Sequence, residues 1–277
     1  MASLEAARTF VNLQGRVLEQ RLFACLVDDA PAEGVLRAVG AYRNDDGGLG
    51  HGLEPDKRCP ASQPVDVAVG LETLVRAGVR SDELVAGACA FLASVADERG
   101  AVPIALPSVR DFPHAAEYTF DAFYAPGVWA TAWVAWCLHA LGASDPWLDR
   151  ATDYCLRELE GKPDVDAHGL REVLRFARHA PDPRAPALVA KVGEWLPEAA
   201  WFIADASSDE YGVAPYEFEG LFSDEELAPH LDRLEADQQA DGGWPIRFEP
   251  PSEASFLEWR GIFTLQAVEV LRRHGRL

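Results

Sequence analysis

The ten residues DGGLGHGLEP at 46–55 return as DGGWPIRFEP at 241–250. Asp46/Asp241, Gly47/Gly242, Gly48/Gly243, Glu54/Glu249 and Pro55/Pro250 are identical, and Leu49/Trp244 and Leu53/Phe248 are apolar in both copies. A chain that writes one loop twice is built from a repeated supersecondary unit, and such units stack because none can bury its apolar face alone. The helix after each loop repeats as well. GLETLVRAG (70–78) lies over AVEVLRRHG (267–275), and WATAWVAWCLHALG (129–142) sets Thr131 on Thr264, Leu138 on Leu271 and Gly142 on Gly275. Degenerate loop copies stand at DERGAVP (97–103) and DEYGVAP (209–215).

The apolar spacing is helical nearly everywhere. Val67, Leu71, Leu74 and Val75 share a face, as do Trp129, Trp133 and Trp136, and no stretch alternates as a strand does. About ten helices are predicted, near 4–26, 33–43, 65–77, 82–96, 127–141, 147–160, 168–179, 185–200, 224–239 and 258–273. Gly78, Gly142, Pro181, Pro197 and Gly275 punctuate them. The fold class that follows is all-α: a single domain, 1–277, in which five to six helical hairpins close into an α/α toroid. The Gly-Gly pairs would form the clasps, with Asp46 and Asp241 accepting backbone N–H groups in the turn.

Composition narrows the partners. The formal charge of −20 argues against nucleic acid and anionic membrane surfaces, which select for Lys/Arg patches. Residues 122–144 carry no Asp, Glu, Lys or Arg, but Pro126 and Gly127 leave a helix too short for a bilayer of about 30 Å, so a helix buried on all sides is expected. The first residues, MASLEAARTF, have no signal-peptide pattern. Five scattered cysteines, never paired as CxxC, read as reduced thiols in a cytoplasmic protein.

At QQADGGW (238–244) the repeat resembles the QW motif of squalene/hopene cyclases through Gln238, Gly242 and Trp244, with YRNDDGGLG (42–50) a looser copy. The resemblance is to the terpenoid cyclase/protein prenyltransferase superfamily, including bacterial prenyltransferase-like proteins of this length. It implies the toroid and a central cavity that binds, and cyclises or transfers, an apolar isoprenoid-type molecule. The superfamily's catalytic signatures are missing. There is no DxDD, the nearest being DVDA (164–167). Asp28-Asp29 and Asp45-Asp46 lack the third Asp of DDxxD, and Asp153-Tyr154-Cys155 has DxC spacing without a histidine partner.

Candidate site residues come from the repeated carboxylate pair Glu54/Glu249, from departures between the repeats, and from two further segments. The loop GHGLEPDKRC (50–59) puts His51, Asp56, Lys57 and Arg58 where the second copy has Ile246, Pro251, Ser252 and Glu253. The long connection 106–127 carries Arg110, His114, Glu117, Tyr118 and Asp121 among aromatics, the composition of a lid or mouth lining. Glu258, Trp259 and Arg260 open the last helix. Glu54, Asp56, Glu117 and Glu258 are the candidate catalytic carboxylates. His51, Arg58, His114, Tyr118, Asp121, Trp129, Trp133, Trp259 and Arg260 are the candidate binding residues, and the tryptophan stripe is equally the pattern of a core. No metal set is indicated, while the cofactor is left unknown and whether the chain is an enzyme stays open. The expected partner is a small apolar or amphipathic ligand. Two other readings stand beside it: a carbohydrate-active α/α barrel using two carboxylates, and a non-catalytic scaffold that binds a ligand or peptide.

Overall fold

The computed structural model describes residues 2–277, and its regular structure is helical. Eleven α-helices are present among the described residues: α1 Leu4–Gln14, α2 Val17–Asp28, α3 Glu33–Gly40, α4 Pro64–Arg76, α5 Asp82–Val95, α6 Val128–Ala140, α7 Pro146–Glu158, α8 Ala167–His179, α9 Ala187–Trp195, α10 Asp224–Ala236 and α11 Glu253–Arg273. Among the described residues, β pairing amounts to three isolated bridges. Two compact units divide the chain: Met1–Ala38 with Trp201–Leu277, and Val39–Ala200.

Local chemistry accounts for most boundaries. Side chains of Ser3, Ser81, Asp145, Asp166, Ser223 and Ser252 each accept a backbone N–H from the first turn of the helix they precede. The helix expected over 4–26 is two helices, because Gly15 and Arg16 are both extended and turn the chain between α1 and α2. The last helix begins at Glu253 rather than 258, since Ser252 caps it directly after Pro250-Pro251.

In the unit Val39–Ala200, the charge-free α6 packs against α4, α7 and α8 and buries Val128, Ala130, Ala132, Val134, Ala135, Trp136, Cys137 and Leu138. Burying so many apolar side chains at roughly 25 cal/mol per Å² makes this helix the centre of that unit's core. In the other unit α1 packs against α11 and α2, around Phe10, Val11, Leu18, Leu22, Leu265, Val268 and Leu271.

The repeated loop has one geometry in three places. In the first copy Asn44 N–H donates to Gly48 O and Gly47 N–H to Asn44 O, both at 3.0 Å. The same pair of bonds joins Asp97 to Ala101 and Gly100 to Asp97 at 2.9 and 3.0 Å, and Gln239 to Gly243 and Gly242 to Gln239 at 2.9 Å each. The third residue bonded in each turn is a glycine at positive φ: 85° at Gly47, 94° at Gly100 and 93° at Gly242. A Cβ there would stand 2.8 Å from Gly87 Cα of α5, 3.0 Å from Ala151 N of α7 and 2.1 Å from Ala6 O of α1. Each clasp therefore lets a turn lie directly on the backbone of another helix, which only glycine allows. Thr131 Oγ1 accepts Val102 N–H at 3.0 Å, and Thr264 Oγ1 accepts Trp244 N–H at 3.1 Å, so the two aligned threonines do the same task. The copy at 209–215 departs: Val213 bonds Trp201 O and Ile203 N–H bonds Val213 O, which pairs this stretch with 201–203 instead.

Candidate functional site

Burial separates the two copies of the repeated glutamate. Glu249 is exposed, whereas Glu54 is buried in the unit Val39–Ala200 with Lys57, Asp66 and Tyr118 around it. The loop 50–59 supplies Glu54 and Lys57, the first turn of α4 supplies Asp66, and a short 3₁₀ turn, Ala116–Thr119, supplies Tyr118. Lys57 Nζ donates to Asp66 Oδ1 at 2.6 Å and to Glu54 Oε2 at 3.3 Å. Glu54 N–H also donates to Asp66 Oδ1, at 2.7 Å, and Tyr118 OH donates to Glu54 Oε2 at 2.9 Å.

These contacts fix the state of each group. Burial alone would push the Lys57 ammonium down, but the two carboxylates outweigh it and hold its pKa above the ordinary lysine value. Burial pushes Tyr118 well above the usual phenol, so it stays a donor. Burial also raises Asp66, to about 6, against the opposing pull of Lys57. One ammonium faces two carboxylates here, and a proton on Asp66 makes the cluster neutral. The position of that proton follows from the donors. Oδ1 already accepts two N–H groups, while Oδ2 is buried and has no hydrogen-bond partner. When Asp66 is protonated, Oδ2 is therefore the oxygen free to carry the proton.

The neighbouring backbone zips the loop to residues 113–118. Arg58 N–H donates to Pro113 O at 2.9 Å, Ala115 N–H to Asp56 O at 2.7 Å, and Lys57 bridges to His114. Beneath lies a small apolar cluster of Cys59, Ala105, Val109, Ala115 and Tyr118, with Phe123 and Tyr124 against it. Gln63, fully buried, ties in the connection 106–127 by accepting Leu106 N–H at 2.7 Å and donating to Ser108 Oγ at 3.0 Å.

The remaining sequence candidates fall as follows. His51 is exposed at φ 58° with Nε2 2.9 Å from Asn44 Oδ1. Glu117 and Asp121 are exposed, the latter bonded to Arg110 at 2.6 Å. Trp129 is half-buried, its ring 6.1 Å from Phe123. Trp133 donates its indole N–H to Glu72 at 2.8 Å, which Arg175 also grips at 2.9 Å. Burial works to raise Glu72, but Arg175, Arg171 and Arg76 prevail and hold it below the usual carboxylate range. Glu258, Trp259 and Arg260 belong to the other unit. Glu258 lies 4.0 Å from Arg16, and Trp259 packs edge-on to Phe248 at 5.5 Å. Arg260 is buried and closes the third clasp, with bonds of 2.7 and 2.8 Å to Asp241 and one of 3.1 Å to Trp244 O.

The site thus joins Glu54 and Tyr118, both foreseen, to Lys57, which was noted only as loop charge, and to Asp66, which was missed. The signal for Asp66 was a lone acid inside PVDVAVGL, an otherwise apolar first half of a helix. Among the described residues, no group of three or more His, Cys, Asp or Glu is placed to hold a metal ion, and no helix is long and apolar enough to cross a membrane.

No family model matches the chain, and no curated protein matches it by sequence. Solved structures do resemble it. A protein from Actinoplanes superposes with a TM-score of 0.59 at 14% identity, covering 97% of this chain and 99% of that one. The type II terpene cyclase MstE from Scytonema gives a TM-score of 0.59 at 13% identity, covering 99% and 98%. A variant of MstE in complex with geranylgeranyl dihydroxybenzoate, its substrate, gives 0.56 at 13% identity over 96% of both chains. This chain has the all-helical fold of that cyclase.

Proposed function

We propose that this protein binds an apolar isoprenoid-type molecule and starts its cyclisation by protonation, with Asp66 as the acid. The observation that carries this reading is the Asp66 carboxyl: fully buried, raised to about 6, with Oδ1 saturated and Oδ2 unengaged. A general acid needs a proton at working pH and a stabilised conjugate base, and Lys57 at 2.6 Å supplies the second condition. In the step proposed, the substrate opens the packing over Asp66 and the Oδ2 proton passes to an alkene carbon. The π pair forms the new C–H bond, the cation develops on the other carbon, and the carboxylate is left paired with Lys57. The fold shared with a cyclase acting on a geranylgeranyl-bearing phenolic acid supports a prenylated substrate.

The test is incubation with geranylgeranyl dihydroxybenzoate in D₂O, followed by mass spectrometry. Wild type is expected to yield an isomer of the substrate carrying one added deuterium, and Asp66→Asn none. The reading fails if wild type turns over neither this compound nor its simpler geranylgeranyl analogues, and tryptophan fluorescence shows whether binding fails with it.

A further inference from the structure

Asp66 has no exposure of its own, so a proton that leaves Oδ2 must be replaced through its neighbours. The hydrogen bonds lead one way. From Asp66 Oδ1 the path runs 2.6 Å to Lys57 Nζ, then 3.3 Å to Glu54 Oε2. Lys57 is wholly buried, whereas the Glu54 side chain retains 8% of its accessible surface. Tyr118 ends the chain as a fixed donor to Glu54. Among the described residues, the charged and titratable groups acting most strongly on Asp66 are Lys57 and Glu54 of the loop, with Tyr118 facing them from the 3₁₀ turn and Asp56 acting on Tyr118 in turn.

We infer that Glu54 and Lys57 form the proton-supply line of Asp66, with Glu54 as the solvent port and Lys57 as the carrier. The inference deepens the proposed function and rests on Asp66 being its acid. Glu54 takes a proton from water at its exposed edge and gives it to Lys57 Nζ, while Lys57 gives one of its own to Asp66 Oδ1. Lys57 is an ammonium before and after, Glu54 returns to the carboxylate, and one proton has moved to Asp66. A proton on Oδ1 then faces two donors, Glu54 N–H and Lys57 Nζ–H, which both require a lone pair. A half-turn of the carboxyl about Cβ–Cγ restores an acceptor to them and carries the O–H to the unengaged side. Lys57 is thus a positioning residue as well as a carrier: it decides which oxygen holds the proton.

Infrared titration of the folded protein tests this without any substrate. The Asp66 carboxylic-acid band is the one lost in Asp66→Asn, and its midpoint in wild type is expected near 6. After a jump into D₂O, its exchange is expected to be at least tenfold slower in Glu54→Gln, and the midpoint lower, because a neighbouring negative charge is gone. Lys57→Met is expected to slow exchange similarly and raise the midpoint by a unit or more. Glu249→Gln, the same repeat position in the other unit, should change neither. Should Lys57→Met not fold, Glu54→Gln alone decides. Wild-type exchange in a folded Glu54→Gln overturns the supply line and leaves the acid assignment standing. A band that persists in Asp66→Asn overturns the acid itself. A band and exchange that behave as expected in a protein that turns over no prenyl substrate would refute the proposed function and not the supply line.

Discussion

Asp66→Asn should change how the protein's stability depends on pH, in a direction set by the sign of its shift. The folded carboxyl is raised from 3.8 to about 6. A raised acid favours the folded state fully below the unfolded value, and that contribution is lost as pH climbs through the folded one. At 1.36 kcal/mol per pH unit, a shift of about two units corresponds to on the order of 3 kcal/mol, and full burial leaves no solvent screening to discount it. Wild type should therefore lose on the order of 3 kcal/mol relative to Asp66→Asn between pH 4 and 8, with the change concentrated between pH 4 and 6. Urea unfolding of both proteins across this range, followed by far-UV circular dichroism, measures the difference. At pH 4 the variant is the weaker protein, because Asn removes the acid's hydrogen-bonded fit. By pH 8 its deficit should shrink or reverse. A stability difference that stays flat with pH, or grows as pH rises, would show that Asp66 is ionised in the folded state, and the charge argument for the site would fall with it.

Other outcomes follow from the clasps and the thiols. Gly242→Ala should cost at least 2 to 3 kcal/mol, since its Cβ would meet Ala6 O at 2.1 Å and φ is 93°, whereas Gly193→Ala, in the last turn of α9 with open space, should stabilise by roughly 0.5–1 kcal/mol; thermal unfolding compares them. Arg260→Met should destabilise by about 2–4 kcal/mol, read by urea unfolding, because it removes a buried guanidinium that spans Asp241 and Trp244. Burial raises Cys89 to about 11 and pushes Cys137 and Cys155 higher than ordinary thiols, so a disulfide reagent at pH 8 should label the half-buried Cys25 first and those three only after denaturation.

The fold was legible because glycine at positive φ against another backbone is a constraint that leaves a written trace. The three clasps at Gly47, Gly100 and Gly242 stand at positions the repeat had marked, and the Thr131/Thr264 alignment is matched by a shared hydrogen bond. The break at Gly15 was hidden by apolar periodicity that continues across it. The site was half legible. Glu54 came from the repeated decamer, where it recurs as Glu249, and Tyr118 from a connection too long for a compact helical chain. Asp66 sits in a helix whose pattern reads as core, and nothing local shows that Lys57, nine positions earlier, would be folded back onto it. Arg260 shows the reverse: a charge that looked free for a ligand is occupied by Asp241 of its own clasp.

Ser3 exchanges hydrogen bonds with Gln238, and α1 lies against α11, so α1 finds its neighbours more than two hundred residues further along the chain. During synthesis Phe10, Val11, Leu22 and Phe23 must wait on the ribosome until more than two hundred further residues have emerged. The stitch that covers α1 and α2 is tied long after they are made, which leaves their apolar faces in need of a chaperone's shelter in the meantime.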